Sequence, residues 1–501
     1  MRNTLFAMRI ASLLATASLA QLAADPREFA FKVSERVRTA RGPLNRVPTR
    51  ALRAFAATGH TQARELAQRG HYSQALARAS KRDRSLATRL REELAELNTT
   101  PPASPVHAAT GLRVLHMLTN SAPHTNSGYT VRSHHVLKAQ RAAGIEVQAL
   151  TRLGYPVLIG KIPAGQTELI DGIPYHRALP WVYPRSLPQR HRLAVASVVA
   201  AAREMNATVL HTTTNYTNAR VVADAARVLG IPWIYEVRGE LEATWLSRQP
   251  LESHDEVAAS EFYRLARAQE TECMKAAARV VALSEISRAQ LVERGVDVDK
   301  IVVVPNAIDA TELDRRVDKE ALRAELGLPQ DAVLVGTVSA MVDYEGLDAL
   351  IDALDHLPES YSVLIVGEGT ARPVLQERAR RFGRRVIFAG KQPHETVWKW
   401  YGALDAFAVP RKNVQVCRTV TPIKPLTAMA LGVPVVASDL PALREVTDNT
   451  AVYVTPEDPR ALADGLRRAV SQGTREPGEA VRARTWQANG QRYRYVYESL
   501  T

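Results

Sequence analysis

Cysteine is scarce in this chain of 501 residues, and aromatic residues make up only 6% of it. Its two cysteines, Cys273 and Cys417, are far apart and fit neither a metal-binding nor a redox spacing. We therefore expect two reduced, structural thiols in a cytoplasmic protein. No Asp-x-Asp pair stands in a compelling metal site, so we expect no metal. A chain of this length can bury several cores, which favours more than one domain.

Acidic residues are few relative to basic ones, and the net charge of +13 is unevenly placed. The first 100 residues hold 18 Lys and Arg against 8 Asp and Glu. No nucleic-acid-binding motif accompanies this excess, which disfavours DNA or RNA as a partner. An anionic membrane surface is a better partner, because each basic residue near lipid headgroups contributes about 1 kcal/mol. A solvated helix face is the simpler alternative.

The N-terminal run Met8–Ala24 consists mostly of alanine and leucine, with Arg9 near its start and Arg2 before it, so it mimics a secretion signal. It looks too short and too rich in alanine for a membrane-spanning helix, which needs about 20 apolar residues. Asp25-Pro26 and the apolar residues after it predict a second helix packed on the first. We expect a cytoplasmic protein that can sit peripherally at the inner face of the plasma membrane.

Apolar residues at three- and four-residue spacing predict helices from Pro43 to Asn98. The piece ARELAQRGHYSQALARAS resembles one helix pair of a tetratricopeptide repeat, with Gly70 and Tyr72 at its turn. We interpret residues 1–105 as a helical extension that ends in the linker Thr99–Pro105. Strands and helices then alternate, with a hairpin-like excursion from Tyr155 to Leu179. This alternation predicts two doubly wound α/β domains at 106–310 and 311–478.

Polar loops follow two of the predicted strands, at the edge where a parallel sheet binds its ligand. The first strand, LRVLHML, leads into the loop Thr119–Tyr129. His124, His134 and His135 are tempting there as bases, although plain loop or helix-face histidines are the simpler interpretation. The second loop lies between the strand Phe407–Val409 and an Ala/Leu/Met-rich helix. It carries four cations, which suit a diphosphate: Arg411, Lys412, Arg418 and Lys424.

Several motifs resemble the GT-B glycosyltransferases, in particular the retaining family 4. They are TPIKPLTAMA followed by PVVASD, the linker-like VVVPNAID, and the subgroup variants YEVRGELE and SAMVDYEGLD. The resemblance implies two Rossmann-like domains that face a cleft, and a last helix at 479–501 that crosses back to the first domain. It also implies a UDP- or GDP-linked sugar as donor substrate, no cofactor, and a glycan or lipid-linked acceptor from cell-envelope polysaccharide synthesis.

The resemblance also implies roles for individual residues. The residues expected at the reacting centre are Lys424, Arg411, His211 and Thr213. The residues expected to bind the donor are Gly128, Ser339, Gly367, Lys391, Lys412, Arg418 and Thr427. The residues expected on the acceptor side are Asn126, Tyr129, Arg238 and Glu242, although Arg238 and Glu242 could equally form a structural ion pair.

Four positions depart from the family pattern. Thr213 stands where a second histidine is usual, and Glu345 stands near the place of a phosphate-binding lysine. Thr427 replaces the second glutamate of the EX7E pattern, and Arg418 or Thr419 replaces the first. A threonine hydroxyl makes fewer contacts to ribose than a carboxylate does.

We interpret the chain as a retaining glycosyltransferase in which the acceptor hydroxyl attacks from the face that the diphosphate leaves. Preorganised cations would stabilise the departing charge, and no enzyme nucleophile is needed. The first alternative is a catalytically degenerate scaffold or partner subunit in a polysaccharide-synthesis complex. An epimerase or phosphorylase of similar fold is a weaker alternative, because no lysine has the context of a pyridoxal site.

Overall fold

The structure is a computed structural model, and it describes residues 2–24, 29–30, 33–34, 61–106, 111–393 and 395–500. The chain forms two compact units. The first comprises Met1–Val281, Leu291–Val302 and Arg494–Thr501, and the second comprises Ala282–Gln290 and Val303–Tyr493. The boundaries predicted at residues 105, 310 and 478 stay predictions.

The sheet of the first unit has eight strands in the order β3-β4-β2-β1-β5-β6-β7-β8. These strands are β1 (Arg113–Leu118), β2 (Glu146–Thr151), β3 (Thr167–Ile170), β4 (Ile173–Arg177), β5 (Val209–Thr213), β6 (Trp233–Glu236), β7 (Arg279–Ala282) and β8 (Ile301–Val303). β3 and β4 form the predicted antiparallel hairpin, whereas the pairs from β4 through β7 are parallel.

The sheet of the second unit has six strands, all parallel, in the order β11-β10-β9-β12-β13-β14. They are β9 (Val333–Val338), β10 (Tyr361–Val366), β11 (Val386–Gly390), β12 (Ala406–Val409), β13 (Val435–Ser438) and β14 (Val452–Val454). Apolar clusters cover both faces, so the strands are near-continuous runs of buried residues. The predicted fold class, two α/β sheets of GT-B type with an N-terminal helix, is confirmed.

Twenty-two α-helices lie within the described residues. Those up to residue 276 are α1 (Arg2–Ala24), α2 (Gln62–Gln68), α3 (Tyr72–Ala77), α4 (Arg84–Leu97), α5 (Gly128–Ala142), α6 (Leu187–Glu204), α7 (Tyr216–Leu229), α8 (Leu241–Leu246), α9 (His254–Ala258) and α10 (Glu261–Ala276). The others are α11 (Glu285–Glu293), α12 (Ala310–Leu313), α13 (Lys319–Leu326), α14 (Leu347–Asp352), α15 (Arg372–Ala379), α16 (Val397–Gly402), α17 (Gln415–Thr419), α18 (Lys424–Ala430), α19 (Pro441–Val446), α20 (Pro459–Gln472), α21 (Glu479–Arg482) and α22 (Trp486–Glu498).

The last helix was predicted as one element, and that prediction is wrong. α21 and α22 are separated by a short extended segment. The backbone N–H of Ile308 donates to the carbonyl of Arg484 at 3.0 Å, and the N–H of Trp486 donates to the carbonyl of Ile308 at 3.0 Å. A helix cannot continue through backbone groups that are bonded to another strand.

The N-terminal helix is longer than the run Met8–Ala24, which was predicted to be too short to span a membrane. α1 has 23 residues, and its stretch Thr4–Ala23 is long and apolar enough, by length and composition, to cross a membrane. The second helix expected from Asp25 onward, and the helical pattern before residue 61, lie largely outside the described residues. The repeat-like helix pair is confirmed as α2 and α3, which flank Gly70 at a φ of +84°.

Candidate functional sites

The second unit places a cluster of charged side chains at the carboxyl edge of its sheet. Ser339 follows β9, Glu345 ends the next turn, and Arg411 follows β12. Lys424 is the first residue of α18. The carboxyl ends of parallel strands meet at one edge, which is where open α/β sheets bind their ligands.

These four side chains contact one another directly. The Nζ of Lys424 lies 2.6 Å from the Oγ of Ser339 and 2.9 Å from the Oε1 of Glu345. The Nη2 of Arg411 lies 2.9 Å from the same carboxylate oxygen, and its Nη1 donates to the carbonyl of Val420 at 3.0 Å. The structure therefore brings two cations of the basic loop together on one carboxylate.

 Ser339 and Lys424 are 85 positions apart in the chain, yet the sheet edge joins them in one hydrogen-bonded cluster with Glu345.

Two glycines allow the loops of this cluster to approach so closely. Gly346 has a φ of +68°, and a Cβ atom there would lie 1.8 Å from the carbonyl oxygen of Pro410. Gly367 has a φ of +140°, and a Cβ atom there would lie 1.9 Å from the carbonyl oxygen of Ser339. Any side chain would therefore push the loops apart, so Gly367 shapes the site through its backbone.

The charges of the cluster shift one another's pKa values. Burial alone would raise the pKa of Glu345, but Lys424 and Arg411 outweigh it and lower that pKa to about 2. Burial lowers the pKa of Lys424, and the carboxylate of Glu345 opposes this shift. Glu345 is therefore ionised at neutral pH, and it holds both cations at the sheet edge.

Three other residues expected to bind the donor, Lys412, Arg418 and Lys391, lie in the second unit but outside this cluster. The Nζ of Lys412 lies 2.8 Å from the Oδ1 of Asp343, and Arg418 donates to Asn413 from the short helix α17. Lys391 is exposed. The structure thus joins Arg411 and Lys424 through one carboxylate and does not join Lys412, Arg418 or Lys391 to them.

Sequence reasoning missed a carboxylate beside Thr427. Glu312, on α12, lies near Thr427, and burial raises the pKa of Glu312 while Thr427 opposes that shift. Glu312 lies 115 positions before Thr427, and no motif links the two. Position 427 lacks the glutamate of the family pattern, and the carboxylate of Glu312 comes from another helix to lie near it.

The first unit contains a pocket of about 350 Å³ at the carboxyl ends of β1, β5 and β6. Ten of its 16 lining residues carry a hydroxyl or side-chain amide group, which suits a sugar. The lining residues are Leu118, Thr119, Asn120, Ser127, Tyr129, Thr130, Ser133, Thr213, Thr214, Asn215, Arg238, Gly239, Glu240, Leu241, Thr244 and Arg248.

Three of the predicted site residues line this pocket: Tyr129, Thr213 and Arg238. Gly128 is the first residue of α5, whose N-cap Ser127 lines the pocket as well. Asn126 is exposed on the preceding loop. The hydroxyl of Tyr129 donates to the carbonyl of Arg238 at 3.2 Å, so α5 and the loop after β6 are joined at the pocket wall.

The ion pair considered between Arg238 and Glu242 does not form. Arg238 pairs instead with Glu236, and the Nε of Arg238 lies 3.0 Å from the Oε1 of Glu236. The two residues can pair because only Val237 separates them at the end of β6. Glu242 is buried on α8, where the Nη1 of Arg294 lies 3.4 Å from its Oε1. Arg238 also donates from Nη1 to the Oγ of Ser133 at 2.6 Å, which fixes its guanidinium.

His211 lies in a buried network and is not among the pocket-lining residues. Its Nδ1 lies 2.7 Å from the hydroxyl of Tyr497, and its Nε2 lies 3.3 Å from the Oε2 of Glu236. Burial lowers the pKa of His211 despite the nearby carboxylate, so the ring is neutral at pH 7. Its catalytic role stays a prediction, whereas Thr213 lies at the pocket wall.

Two of the three histidines considered as bases, His124 and His134, have structural partners in this unit. The Nε2 of His124 lies 2.9 Å from the Oε2 of Glu168. The Nδ1 of His134 lies 2.8 Å from the hydroxyl of Tyr175, and its Nε2 lies 2.9 Å from Asp171. Both side chains therefore join their helix or loop to the β3–β4 hairpin.

Two doubly wound sheets, each with polar residues at its carboxyl edge, define a protein of the GT-B glycosyltransferase class. Residues 127–307 match the family model described as glycosyl transferase 4-like domain, and residues 331–472 match the one described as glycosyl transferases group 1. Together the two models cover well over half of the chain. The chain belongs to the group 1 glycosyltransferases, as its motifs predicted.

Curated relatives and solved structures agree with this family. A D-inositol 3-phosphate glycosyltransferase from Xylanimonas cellulosilytica is 32% identical over 203 residues, which cover 38% of this chain and 48% of that protein. The lipopolysaccharide core biosynthesis mannosyltransferase LpsB from Rhizobium meliloti is 28% identical over 176 residues, which cover 32% of this chain and 48% of that protein. The chain thus spans about half the length of the curated relatives it matches.

One similar solved structure is that of HepE from Anabaena in complex with UDP and glucose. Its TM-score is 0.57 at 19% identity, and the match covers 78% of this chain and all of that one. At this identity the likeness shows a shared fold.

Proposed function

We propose that the protein transfers a sugar, with retention of its anomeric configuration, from a UDP- or GDP-linked donor to a glycan or lipid-linked acceptor. Cell-envelope polysaccharide synthesis is the process we assign to it. The observation that carries the proposal is the cluster of Ser339, Glu345, Arg411 and Lys424 at the carboxyl edge of the second sheet. The lipopolysaccharide role printed for LpsB supports the choice of process.

In the proposed donor site, Arg411 and Lys424 bind the diphosphate. Charge builds up on the leaving diphosphate as its bond to the sugar breaks, and cations already fixed in place stabilise that charge without reorganising. Glu345 keeps both cations in position and halves their net charge. The hydroxyl of Ser339 and the backbone next to Gly367 supply neutral hydrogen bonds. Glu312 stands beside Thr427 and supplies the carboxylate for the ribose hydroxyls.

In the proposed acceptor site, the pocket of the first unit holds the nucleophilic sugar. Its wall offers the hydroxyls of Tyr129 and Thr213 and the guanidinium of Arg238. Hydroxyl groups both donate and accept hydrogen bonds, which matches a polyhydroxyl ligand. The acceptor hydroxyl attacks the anomeric carbon directly, so the chain needs no covalent nucleophile.

A noncatalytic scaffold is the second candidate function, and one observation favours it. Arg411 and Lys424 already share the carboxylate of Glu345, so their charge is partly neutralised before any ligand arrives. In a scaffold, this ion cluster would only stabilise the second unit, and the protein would act as a partner in a polysaccharide-synthesis complex.

A donor panel separates the two functions. The purified protein is heated with UDP, GDP or ADP, and then incubated with the corresponding nucleotide sugars and a glycan acceptor while nucleotide release is measured. We expect one nucleotide to raise the unfolding temperature and its sugar to be turned over with the donor's anomeric configuration kept. Nucleotide binding without turnover, or no binding at all, would favour the scaffold, and an inverted anomer would contradict the retaining mechanism.

The acceptor site predicts a selective effect of Tyr129→Phe. The change removes from the pocket wall the hydroxyl that donates to the carbonyl of Arg238 and keeps the ring. We expect the KM for the acceptor to rise about fivefold, the value of one hydrogen bond. The unfolding temperature shift with the donor nucleotide should stay that of the wild type. Tyr495→Phe, at an exposed position of α22, is the matched control. An unchanged acceptor KM would remove Tyr129 from the acceptor site.

A further inference from the structure

The N-terminal helix α1 has two apolar faces, and only one of them packs on the protein. Ile10 and Leu13 are buried against Val157 and Leu179 in a small cluster of the first unit. Ala17 and Ala20 continue this stripe at helical spacing, and both are buried. This face attaches the helix to the body along its length.

The opposite face of α1 is exposed and carries four large apolar side chains. Leu5, Met8, Leu19 and Leu22 lie on it, with 52%, 57%, 53% and 41% of their surface exposed. Their spacing places them on one side of the helix. Single exposed leucines are ordinary, but a row of four on one helix marks a surface that another apolar phase covers.

The apolar surface continues onto the loop that α1 contacts. The Oγ of Ser12 donates to the carbonyl of Trp181 at 2.8 Å, and the guanidinium of Arg9 lies 5.1 Å from the centre of the Trp181 ring. Trp181 is 43% exposed and Val182 is 61% exposed. Tryptophan flanked by arginine is typical of the boundary between lipid headgroups and acyl chains.

The charges around this surface favour a lipid bilayer over a second copy of the chain. Arg2 and Arg9 are the charged residues of α1, and the helix has no acidic residue. A leucine seam between two helices is usually flanked by charges of both signs, which set register and partner. The surplus of basic residues over the first 100 positions complements anionic headgroups instead.

We propose that the exposed face of α1, together with Trp181 and Val182, lies on an anionic lipid bilayer in the plane of its surface. The buried stripe of α1 keeps the helix on the protein, so the helix enters the headgroup layer without crossing the bilayer. The proposal concerns where the protein works and does not depend on sugar transfer.

Sedimentation with lipid vesicles tests the proposal. The full chain is mixed with vesicles of phosphatidylcholine and phosphatidylglycerol, or of phosphatidylcholine alone, at low and high salt. We expect binding to the anionic vesicles that weakens with salt. The double variant Leu19→Glu, Leu22→Glu should bind them about tenfold less, because both charges would enter the apolar layer. Leu251→Glu, at a position 80% exposed in the same unit, should bind as the wild type does.

The remaining outcomes would overturn the proposal. They are a wild type that stays in the supernatant, a double variant that binds unchanged, and wild-type protein that resists extraction from the vesicles by alkaline carbonate, as a spanning helix would. A dimer that the double variant abolishes, without any vesicle binding, would assign the face to a second copy. The replaced side chains are exposed, so we expect each variant to fold as the wild type does. Circular dichroism verifies this.

Discussion

Lys424→Ala is expected to lower turnover of the nucleotide sugar by about 100-fold or more, the usual loss when one preorganised donor to a developing anion is removed. Lys424 contacts both Ser339 and Glu345, so its ammonium is fixed at the edge of the sheet before the donor binds. The truncated variant leaves Arg411 as the partner of Glu345, so the carboxylate is not left alone. The measurement is the rate of nucleotide release at saturating donor.

Two comparisons make this result specific. Lys424→Arg restores a cation at the same place and should recover part of the lost rate. Lys399→Ala removes a lysine that pairs with Glu325 on the surface of the same unit, and its rate should stay that of the wild type. Full turnover in Lys424→Ala would show that the diphosphate binds elsewhere.

Glu345→Gln is expected to lower the free energy of unfolding by about 3 kcal/mol at pH 7, because it leaves two cations facing each other at a mostly buried site. The pKa of Glu345 is lowered from 4.5 to about 2. Since the folded-state pKa is the lower one, its stabilisation is complete above pH 4.5 and is lost as the pH falls toward 2. The measurement is urea unfolding of wild type and variant across that pH range.

The variant should therefore have a flatter dependence of stability on pH than the wild type. Glu359→Gln is the matched control, since that side chain is 90% exposed and its loss should change the free energy of unfolding by less than about 0.5 kcal/mol. Adding Lys424→Met to Glu345→Gln removes one of the two facing cations and should recover part of the stability. Equal stability of Glu345→Gln and wild type would mean that the cluster does not stabilise the unit.

The spacing of apolar residues along the chain predicted much of the first unit correctly. The buried strand LRVLHML became β1, and the excursion between Tyr155 and Leu179 became the β3–β4 hairpin. These elements follow local rules, because alternating and continuous apolar runs bury well only in a sheet. The last helix was predicted without its break, because the bonds of Ile308 that interrupt it come from a distant part of the chain.

The candidate donor site likewise combines features that the sequence predicted with features that only the structure shows. The motif around Lys424 located the basic loop, but four cations could not be sorted from the sequence. Only packing shows that Arg411 and Lys424 share Glu345 while Lys412 turns to Asp343. No sequence motif pointed to Glu312, since Glu312 and Thr427 lie on two helices far apart in the chain.

By itself, the sequence determined the α/β class, the family and the position of a cationic loop, since these follow from local patterns of apolar residues, glycines and charges. The tertiary structure decided which charges pair, that His211 is buried with Tyr497, and that one apolar face of α1 stays exposed. The physical reason is that pairing and burial depend on distances between residues remote in the chain, and folding alone sets those distances.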